Sequence, residues 1–349
     1  MQGPENKLDF SNVLDVANYF TLATTNEVVN ETFNCTRGNG RKIMEAAEII
    51  KEKLDNRKLV ILDGAMGSEL EKSGAKMDKN LWCGSCSVEF PELVTKVHED
   101  YIKAGADVIT TNTYACTPIS MKNYGLEDSI QEFNQKSVEV AKKAIENSKK
   151  DIALAGSVSA SGSFYKFGTK AMIPGFKEQI KILTEEGVDL IILEAMSSQA
   201  DIVQTMIECS AKINIPVWLS VSCVIDDKTK NIMLGYNDSM DSPPEIYENF
   251  ENSLNRFAKL HKGPILIAHS DISVTGKALE VAKKNFSGIL GAYPNTGHYE
   301  KPHWKFADDV TPNDYLEYAK SWQKSGAQII GGCCGLGVEE IKAIAALKK

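Results

Sequence analysis

Short apolar runs alternate with amphipathic segments from Lys58 to the C-terminus. Each apolar run is nearly continuous, which is typical of strands that are buried on both faces of a parallel sheet. The pattern predicts eight such strands. They are Leu59–Leu62, Val108–Thr111, Ile152–Val158, Leu190–Leu193, Val217–Val221, Ile265–Ala268, Ile289–Ala292 and Gln328–Ile330.

The segments between these runs carry apolar residues at helical spacing, so each predicted strand is followed by a predicted helix. The helices are Glu89–Ala104, Ile130–Ser148, Phe176–Glu186, Ser198–Lys212, Pro243–Leu260, Val274–Lys284, Pro312–Ser325 and Val338–Lys348. Gly105 and Gly326 stand where two helices should end. The alternation predicts an α/β fold, a (β/α)8 TIM barrel. A doubly wound sheet is the alternative, but the chain has no Gly-rich phosphate loop.

The chain before the first predicted strand is organised differently. Residues 1–40 show no sustained periodicity, and a helix follows with Ile43, Ala46, Ile50 and Leu54 at helical spacing. We therefore expect an N-terminal extension over residues 1–57 and a barrel domain over 58–349. Such an extension could serve formation of a homo-oligomer.

Composition and charge limit the classes of partner and the cellular location that the chain suits. The 349 residues carry a formal net charge of -8, which argues against a nucleic-acid groove or an anionic membrane surface as partner. The apolar runs are too short to cross a bilayer, and the N-terminus lacks the apolar core of a signal peptide. Eight cysteines without an export signal indicate reduced thiols and a cytoplasmic location.

In a barrel, active sites lie where the C-terminal ends of the strands meet. The last strand runs into Gly331-Gly332-Cys333-Cys334-Gly335. Two adjacent thiolates on a turn flanked by glycines can both face one soft metal ion. The alternative is that the two cysteines are simply small buried residues.

Other polar residues follow the predicted strands. Asp63 ends the first strand beside a Gly turn, where it could hold an ammonium group or cap the turn. Glu194 follows an apolar strand, where a carboxylate is costly unless it is paired. Asn112 could bind substrate or tie loops together, and Asn295 follows the seventh strand.

Two further residues could complete a metal site. His269 ends the sixth strand and could be a ligand or a structural hydrogen bonder. Cys223 follows the fifth strand and could be a ligand or a buried thiol.

The Cys83-Gly84-Ser85-Cys86 spacing has no second half of a zinc ribbon, so we interpret this segment as structural or incidental. Aromatic residues after the seventh strand could form a lid for an onium group: Tyr293, His298, Tyr299, His303 and Trp304.

Five segments, taken in order, resemble the homocysteine S-methyltransferase family over about residue 58 to the C-terminus. They are Leu62–Gly67, Thr111–Tyr114, Glu194-Ala195, Tyr293–Gly297 and Gly331–Gly335. The resemblance implies a (β/α)8 barrel that holds Zn²⁺ through three cysteines and methylates the sulfur of homocysteine. It also implies that Asp63 and Glu194 bind the amino group of homocysteine, that amides near Gly64 bind its carboxylate, and that Cys333 and Cys334 are zinc ligands.

The sequence departs from the family at one point. Family members usually carry Asn-Cys after the sixth strand, whereas this chain has His269-Ser270-Asp271. His269 could replace the missing thiolate, which zinc accepts readily, or the harder ligand Asp271 could do so. The remaining alternative is a site that holds metal weakly or not at all.

The resemblance predicts small-molecule partners, namely homocysteine and a methyl donor, and a methyltransferase that forms methionine. The nucleophile would be the thiolate of the substrate, so no catalytic side chain is expected. S-methylmethionine, betaine, S-adenosylmethionine and methylated folate are the donors that related proteins use. The competing hypothesis is a barrel that binds an amino-acid-like ligand without methyl transfer, because the third zinc thiolate is missing.

Overall fold

The computed structural model describes residues 43–161, 168–196, 198–237, 243–307 and 310–348. Within them the strands are β1 (Val60–Ile61), β2 (Val108–Thr110), β3 (Ala153–Ser159), β4 (Leu190–Glu194), β5 (Val217–Val221), β6 (Cys223–Ile225), β7 (Ile232–Tyr236), β8 (Glu245–Asn249), β9 (Ile265–Asp271), β10 (Leu290–Asn295), β11 (His298–Glu300), β12 (His303–Lys305) and β13 (Ala327–Ile330). The α-helices are α1 (Ile43–Asp55), α2 (Met66–Lys72), α3 (Cys86–Glu89), α4 (Pro91–Ala104), α5 (Pro118–Asn123), α6 (Ile130–Ser148), α7 (Ile173–Glu185), α8 (Ala200–Ser210), α9 (Phe250–Leu260), α10 (Ile272–Asn285), α11 (Pro312–Ser325) and α12 (Val338–Ala345).

Eight parallel strands form the barrel. Their order is β1-β13-β10-β9-β5-β4-β3-β2, and a parallel bridge between Leu62 and Val108 joins the two outer members. Beside this bridge, the N–H of Asp63 donates to the carbonyl of Val108 at 3.0 Å. The predicted (β/α)8 barrel is therefore confirmed, and all eight predicted strands are present with ends shifted by a few residues.

The helix ends follow the sequence where glycine stands. Gly105 ends α4 with a φ of 113°, and Gly326 ends α11 with a φ of 106°. Residues with a side chain rarely adopt this left-handed conformation, and glycine adopts it without penalty. Both predicted helix ends are confirmed.

Helix α1 covers the N-terminal end of the barrel. Ala46, Ile50 and Leu54 are buried in one apolar cluster with Val60 and Val108 from the barrel interior. The Nζ atom of Lys53 also lies 2.8 Å from Oδ1 of Asp107. The division of the chain into residues 1–57 and 58–349 stays a prediction, because residues 1–42 lie outside the described part.

Two small antiparallel sheets were not expected. Strands β6, β7 and β8 form one, and β11 pairs with β12 in the other. The prediction of one helix over Pro243–Leu260 is wrong in its first part, because β8 occupies Glu245–Asn249. The side chain of Asn249 accepts a hydrogen bond from the N–H of Asn252, and this cap starts α9 at Phe250.

No helix in the described part of the chain has both the length and the apolar character that a membrane span requires.

Candidate metal and substrate site

A cavity of about 280 Å³ opens at the C-terminal ends of the barrel strands. Its wall combines acids, thiols, an imidazole and aromatic rings, and it contains no lysine or arginine among the described residues. Its polar members include Asp63, Thr110, Asn112, Glu194, His269, Cys333 and Cys334. A cavity with two buried acids and no lysine or arginine among its described lining residues suits a positively charged ligand.

An imidazole and two thiols come together on one side of this cavity. The Nδ1 atom of His269 lies 3.5 Å from Sγ of Cys333, and the two Sγ atoms of Cys333 and Cys334 lie 4.0 Å apart. The three ligand atoms all lie within 4.8 Å of one another. Tetrahedral zinc with ordinary bond lengths would separate two sulfur ligands by about 3.8 Å and a nitrogen and a sulfur by about 3.6 Å. The donor set therefore fits a zinc ion in chemistry and spacing.

His269 reaches the thiols from an unusual backbone conformation. Its φ is 43°, in the left-handed region, although it lies inside β9. Such a conformation costs on the order of 1–2 kcal/mol for a residue with a Cβ. Residues held in this way are often found at functional sites, where the strain fixes the direction of a side chain. The imidazole ring also lies 6.2 Å from the indole ring of Trp304.

The turn that carries the two cysteines needs its glycines. A Cβ on Gly331 would lie 2.7 Å from Cβ of Leu62, so the turn packs directly on the end of β1. Gly335 has a φ of 85°, and a Cβ there would lie 2.2 Å from the carbonyl oxygen of Thr296. These close approaches place the cysteines between the loops that follow β1 and β10.

The neighbours of Cys333 favour ionisation of its thiol. The hydrogen bond with the Cys334 thiol, together with the nearby imidazole of His269, lowers the pKa of Cys333 to about 5, against the opposing effect of burial. A thiolate at neutral pH is the form of cysteine that binds metals and that reacts as a nucleophile.

Asp63 lies just after β1 and lines the same cavity. Its carboxylate accepts hydrogen bonds from the N–H of Thr110 at 2.7 Å and from the Thr110 hydroxyl at 3.0 Å. Burial nevertheless raises the pKa of Asp63 to about 8, and the charge of Glu194 adds to the increase. The hydrogen bonds of Thr110 do not replace the cation that this carboxylate lacks. Thr110 is a partner that the sequence did not reveal.

Glu194 lies at the C-terminal end of β4. Its carboxylate accepts hydrogen bonds from the hydroxyl of Ser157 and, at 3.3 Å, from the hydroxyl of Tyr293. Burial raises the pKa of Glu194 to about 7, and the neighbouring Cys333 adds to the increase. Two buried acids thus share one cavity, and a cation from a ligand would relieve the cost of ionising both.

The side chains of Asn112 and Asn295, both predicted to bind substrate, take different positions. The side-chain N–H₂ of Asn112 donates to the carbonyl of Cys83 at 2.8 Å and to the hydroxyl of Ser87 at 3.3 Å, so it ties two loops together at the cavity wall. Asn295 is buried and is not among the described residues that line the cavity. Its Oδ1 atom has no hydrogen-bond partner in the described part of the chain.

The structure separates His269 from the two alternative ligands. Asp271 is exposed and caps α10, where Oδ1 accepts a hydrogen bond from the N–H of Ser273 at 2.8 Å. Cys223 is fully buried at the start of β6. Neither belongs to the group of ligand atoms around Cys333. Cys83 and Cys86 are free, buried thiols, and Cys83 also lines the cavity, so the structural interpretation of that segment stays a prediction.

Three aromatic rings form a wall of the cavity. Trp82 and Tyr299 stand edge to face with ring centroids 6.1 Å apart, and Tyr299 lies 6.5 Å from its cross-strand neighbour Trp304. Of the expected aromatic residues, Tyr293 also lines the cavity, whereas His298 and His303 bond to Glu300 and Glu71 outside it. Trp82 was missed, although an aromatic residue in the loop after the first strand was a signal that could have found it.

The fold and the site together define a (β/α)8 barrel enzyme with a thiol-rich metal-binding geometry beside an acidic cavity. A family model described as homocysteine S-methyltransferase matches residues 60–347. The chain belongs to the homocysteine S-methyltransferase family, and it is a methyltransferase.

Several relatives are similar over most of their length. Homocysteine S-methyltransferase 2 of Zea mays is 30% identical over 82% of this chain and 88% of its own length. Selenocysteine Se-methyltransferase of Brassica oleracea var. italica is 28% identical over 81% and 87%. Among solved structures, the oxidized form of the homocysteine methyltransferase MmuM from Escherichia coli has a TM-score of 0.68 and 26% identity, covering 85% of this chain and 99% of that one.

Proposed function

We propose that this protein transfers a methyl group from a small donor to the thiol of homocysteine, giving methionine, at a Zn²⁺ site formed by His269, Cys333 and Cys334. The observation that carries the proposal is the spacing of the three ligand atoms, 3.5 Å from nitrogen to sulfur and 4.0 Å between sulfurs. These distances agree to within a few tenths of an ångström with tetrahedral zinc. Three ligands from the chain would leave a four-coordinate zinc ion one position for the substrate.

A bound zinc ion would supply a Lewis acid that lowers the pKa of the acceptor thiol, so that the thiol reacts as a thiolate at neutral pH. The chain would hold that ion with two cysteine thiolates and one neutral imidazole, the forms in which these side chains bind zinc. A third thiolate in place of His269 would make the site more negative by one charge. The present ligand set therefore favours ionisation of the acceptor thiol and makes the resulting thiolate a weaker nucleophile.

The two buried acids suit the amino group of the acceptor. An ammonium group between Asp63 and Glu194 would supply the positive charge that the cavity wall lacks. Gly64 also lines the cavity, just before the first turn of α2 begins at Met66. The N–H groups of a first helical turn have no partner within their helix, so they are suited to hold the carboxylate of the same amino acid.

The aromatic wall suits a donor that carries positive charge. Trp82, Tyr299 and Trp304 line the cavity, and the Trp304 ring lies 6.2 Å from the imidazole of His269. Attraction of a sulfonium or quaternary ammonium group to such rings contributes about 0.5–2 kcal/mol.

The test is a direct assay of methyl transfer with zinc-loaded protein. Homocysteine and selenocysteine are each incubated with S-methylmethionine, betaine, S-adenosylmethionine or methylated folate, and products are identified by mass spectrometry. We expect methionine with at least one donor, and loss of that activity in C334S but not in C209S, because Cys209 lies on α8 and does not line the cavity. Binding of homocysteine without turnover with any donor would instead support the ligand-binding alternative.

A further inference from the structure

The turn Gly331–Gly335 is held along its backbone by neighbouring loops. The N–H of Gly332 donates to the carbonyl of Asp63 at 3.0 Å, and the N–H of Cys333 donates to the carbonyl of Pro294 at 2.7 Å. These bonds tie the middle of the turn to the loop that follows β1 and to the end of β10. The N–H of Gly331 also donates to the carbonyl of Ala292, at 3.0 Å. The carbonyl of Gly331 and the N–H of Gly335 are bonded by side chains instead.

Each end of the turn is met by one buried side chain from a helix outside the barrel. At the first end, the hydroxyl of Tyr315 on α11 donates to the carbonyl of Gly331. At the other end, the hydroxyl of Ser68 on α2 accepts a hydrogen bond from the N–H of Gly335 at 3.1 Å. Tyr315 is 0% exposed and Ser68 is 1% exposed, so water does not compete for either bond.

Fixing these ends matters because glycine has the widest choice of backbone conformations. A peptide rotation at Gly331 or Gly335 would swing the two Sγ atoms apart, and they must stay about 4 Å apart to share one metal ion. The ring of Tyr315 is itself fixed, since it packs edge to face on Trp322 with centroids 5.7 Å apart. The hydroxyl is thereby presented to the turn from a rigid support.

We infer that Tyr315 and Ser68 are positioning residues for the thiol pair: they hold the two ends of the Gly331–Gly335 turn so that Cys333 and Cys334 converge on one metal ion. The inference rests on the proposed zinc site. It assigns a role in metal affinity to two residues that are neither among the three grouped ligands nor among the described residues that line the cavity.

The test measures zinc affinity by competition with a chromogenic chelator in wild type, Y315F and S68A. Removal of partners that orient metal ligands typically weakens metal affinity about 10–100-fold. We expect a weakening in that range for Y315F and for S68A, together with weaker thiolate-to-metal absorption in the Co²⁺ form. Measuring both variants keeps the test decisive if one of them fails to fold.

Y101F is the matched control. Tyr101 is also a fully buried tyrosine on an outer helix, and its hydroxyl donates to a loop carbonyl, that of Ala65, at 2.9 Å. We expect Y101F to lower the thermal midpoint of the metal-free protein as much as Y315F does, while its zinc affinity stays within about twofold of wild type. Equal loss of zinc affinity in Y101F and Y315F, or no loss in Y315F and S68A, would overturn the positioning role and leave the proposed zinc site standing. Wild-type protein that binds no zinc would overturn both the positioning role and the proposed function.

Discussion

His269 places its Nδ1 atom 3.5 Å from Sγ of Cys333, although 64 positions of sequence separate the two residues. The barrel brings them together because β9 and β13 both end at the same face, on either side of β10. His269 makes this contact from a left-handed backbone conformation, with a φ of 43°. This contact is the basis of the proposed zinc site.

Replacing His269 by alanine should weaken zinc binding at least about 100-fold, because a site with four ligands derives several kcal/mol from each of them. D271A is the matched control, since Asp271 is two residues away but only caps α10. It should lower stability by about 0.5–2 kcal/mol and leave zinc affinity unchanged. Isothermal titration with zinc compares the two variants. Weaker binding in D271A than in H269A would assign the ligand role to the carboxylate.

Replacing Glu194 by glutamine should raise the KM for homocysteine about 10–100-fold, because a hydrogen bond to a charged group contributes about 1.5–3 kcal/mol. The wild type should also bind homocysteine more weakly as pH falls below about 7, because the pKa of Glu194 is raised to about 7 and only the ionised form attracts an ammonium group. Steady-state kinetics across pH measure both effects. A KM in E194Q equal to that of wild type would remove Glu194 from the acceptor site.

Replacing Asp63 by asparagine should stabilise the metal-free, ligand-free protein at about pH 9 by on the order of 1–3 kcal/mol. The pKa of Asp63 is raised from 3.8 to about 8, so the folded state binds more protons than the unfolded state between these values. Stability from this group is therefore lost as pH rises through that range, and D63N avoids the loss. Urea unfolding at about pH 5 and pH 9 should show a larger gain for D63N at the higher pH. An equal gain at both would contradict the burial argument.

His98 offers a prediction away from the site. It is fully buried on α4, and neither ring nitrogen has a hydrogen-bond partner in the described part of the chain. Burial lowers the pKa of His98 to about 3, so the unfolded state binds more protons between that value and 6.5, and stability falls as pH drops through that range. H98L should gain about 1–2 kcal/mol at neutral pH and lose less stability on acidification. The free energy of unfolding in urea is compared for H98L and wild type at neutral and at acidic pH. Equal values for the two proteins at each pH would indicate a buried water partner for the ring.

The barrel was predictable because each of its strands is an apolar run followed by an amphipathic helix. The segment Glu245–Asn249 was not, because its sparse apolar residues merge with the periodicity of α9. Asn249 carried the missing signal, since asparagine favours the position just before a helix. The hairpin of β11 and β12 is likewise too short for periodicity to identify.

Sequence order predicted that His269 and the cysteines would share one face, because parallel strands end together. It could not choose between His269 and Asp271, which are two residues apart at the end of the same strand. The choice depends on a single φ angle and on the cap that Asp271 forms with Ser273. The partners of Asp63 and Glu194 also depend on side-chain directions that no pattern encodes.

The most direct test of the central claim is the zinc content of protein purified without chelators, measured by mass spectrometry for wild type, H269A and C333S. We predict about one zinc ion per chain in wild type and far less in both variants, because each removes a ligand of a four-coordinate site. Absence of zinc from the wild type, or full zinc content in C333S, would contradict the account.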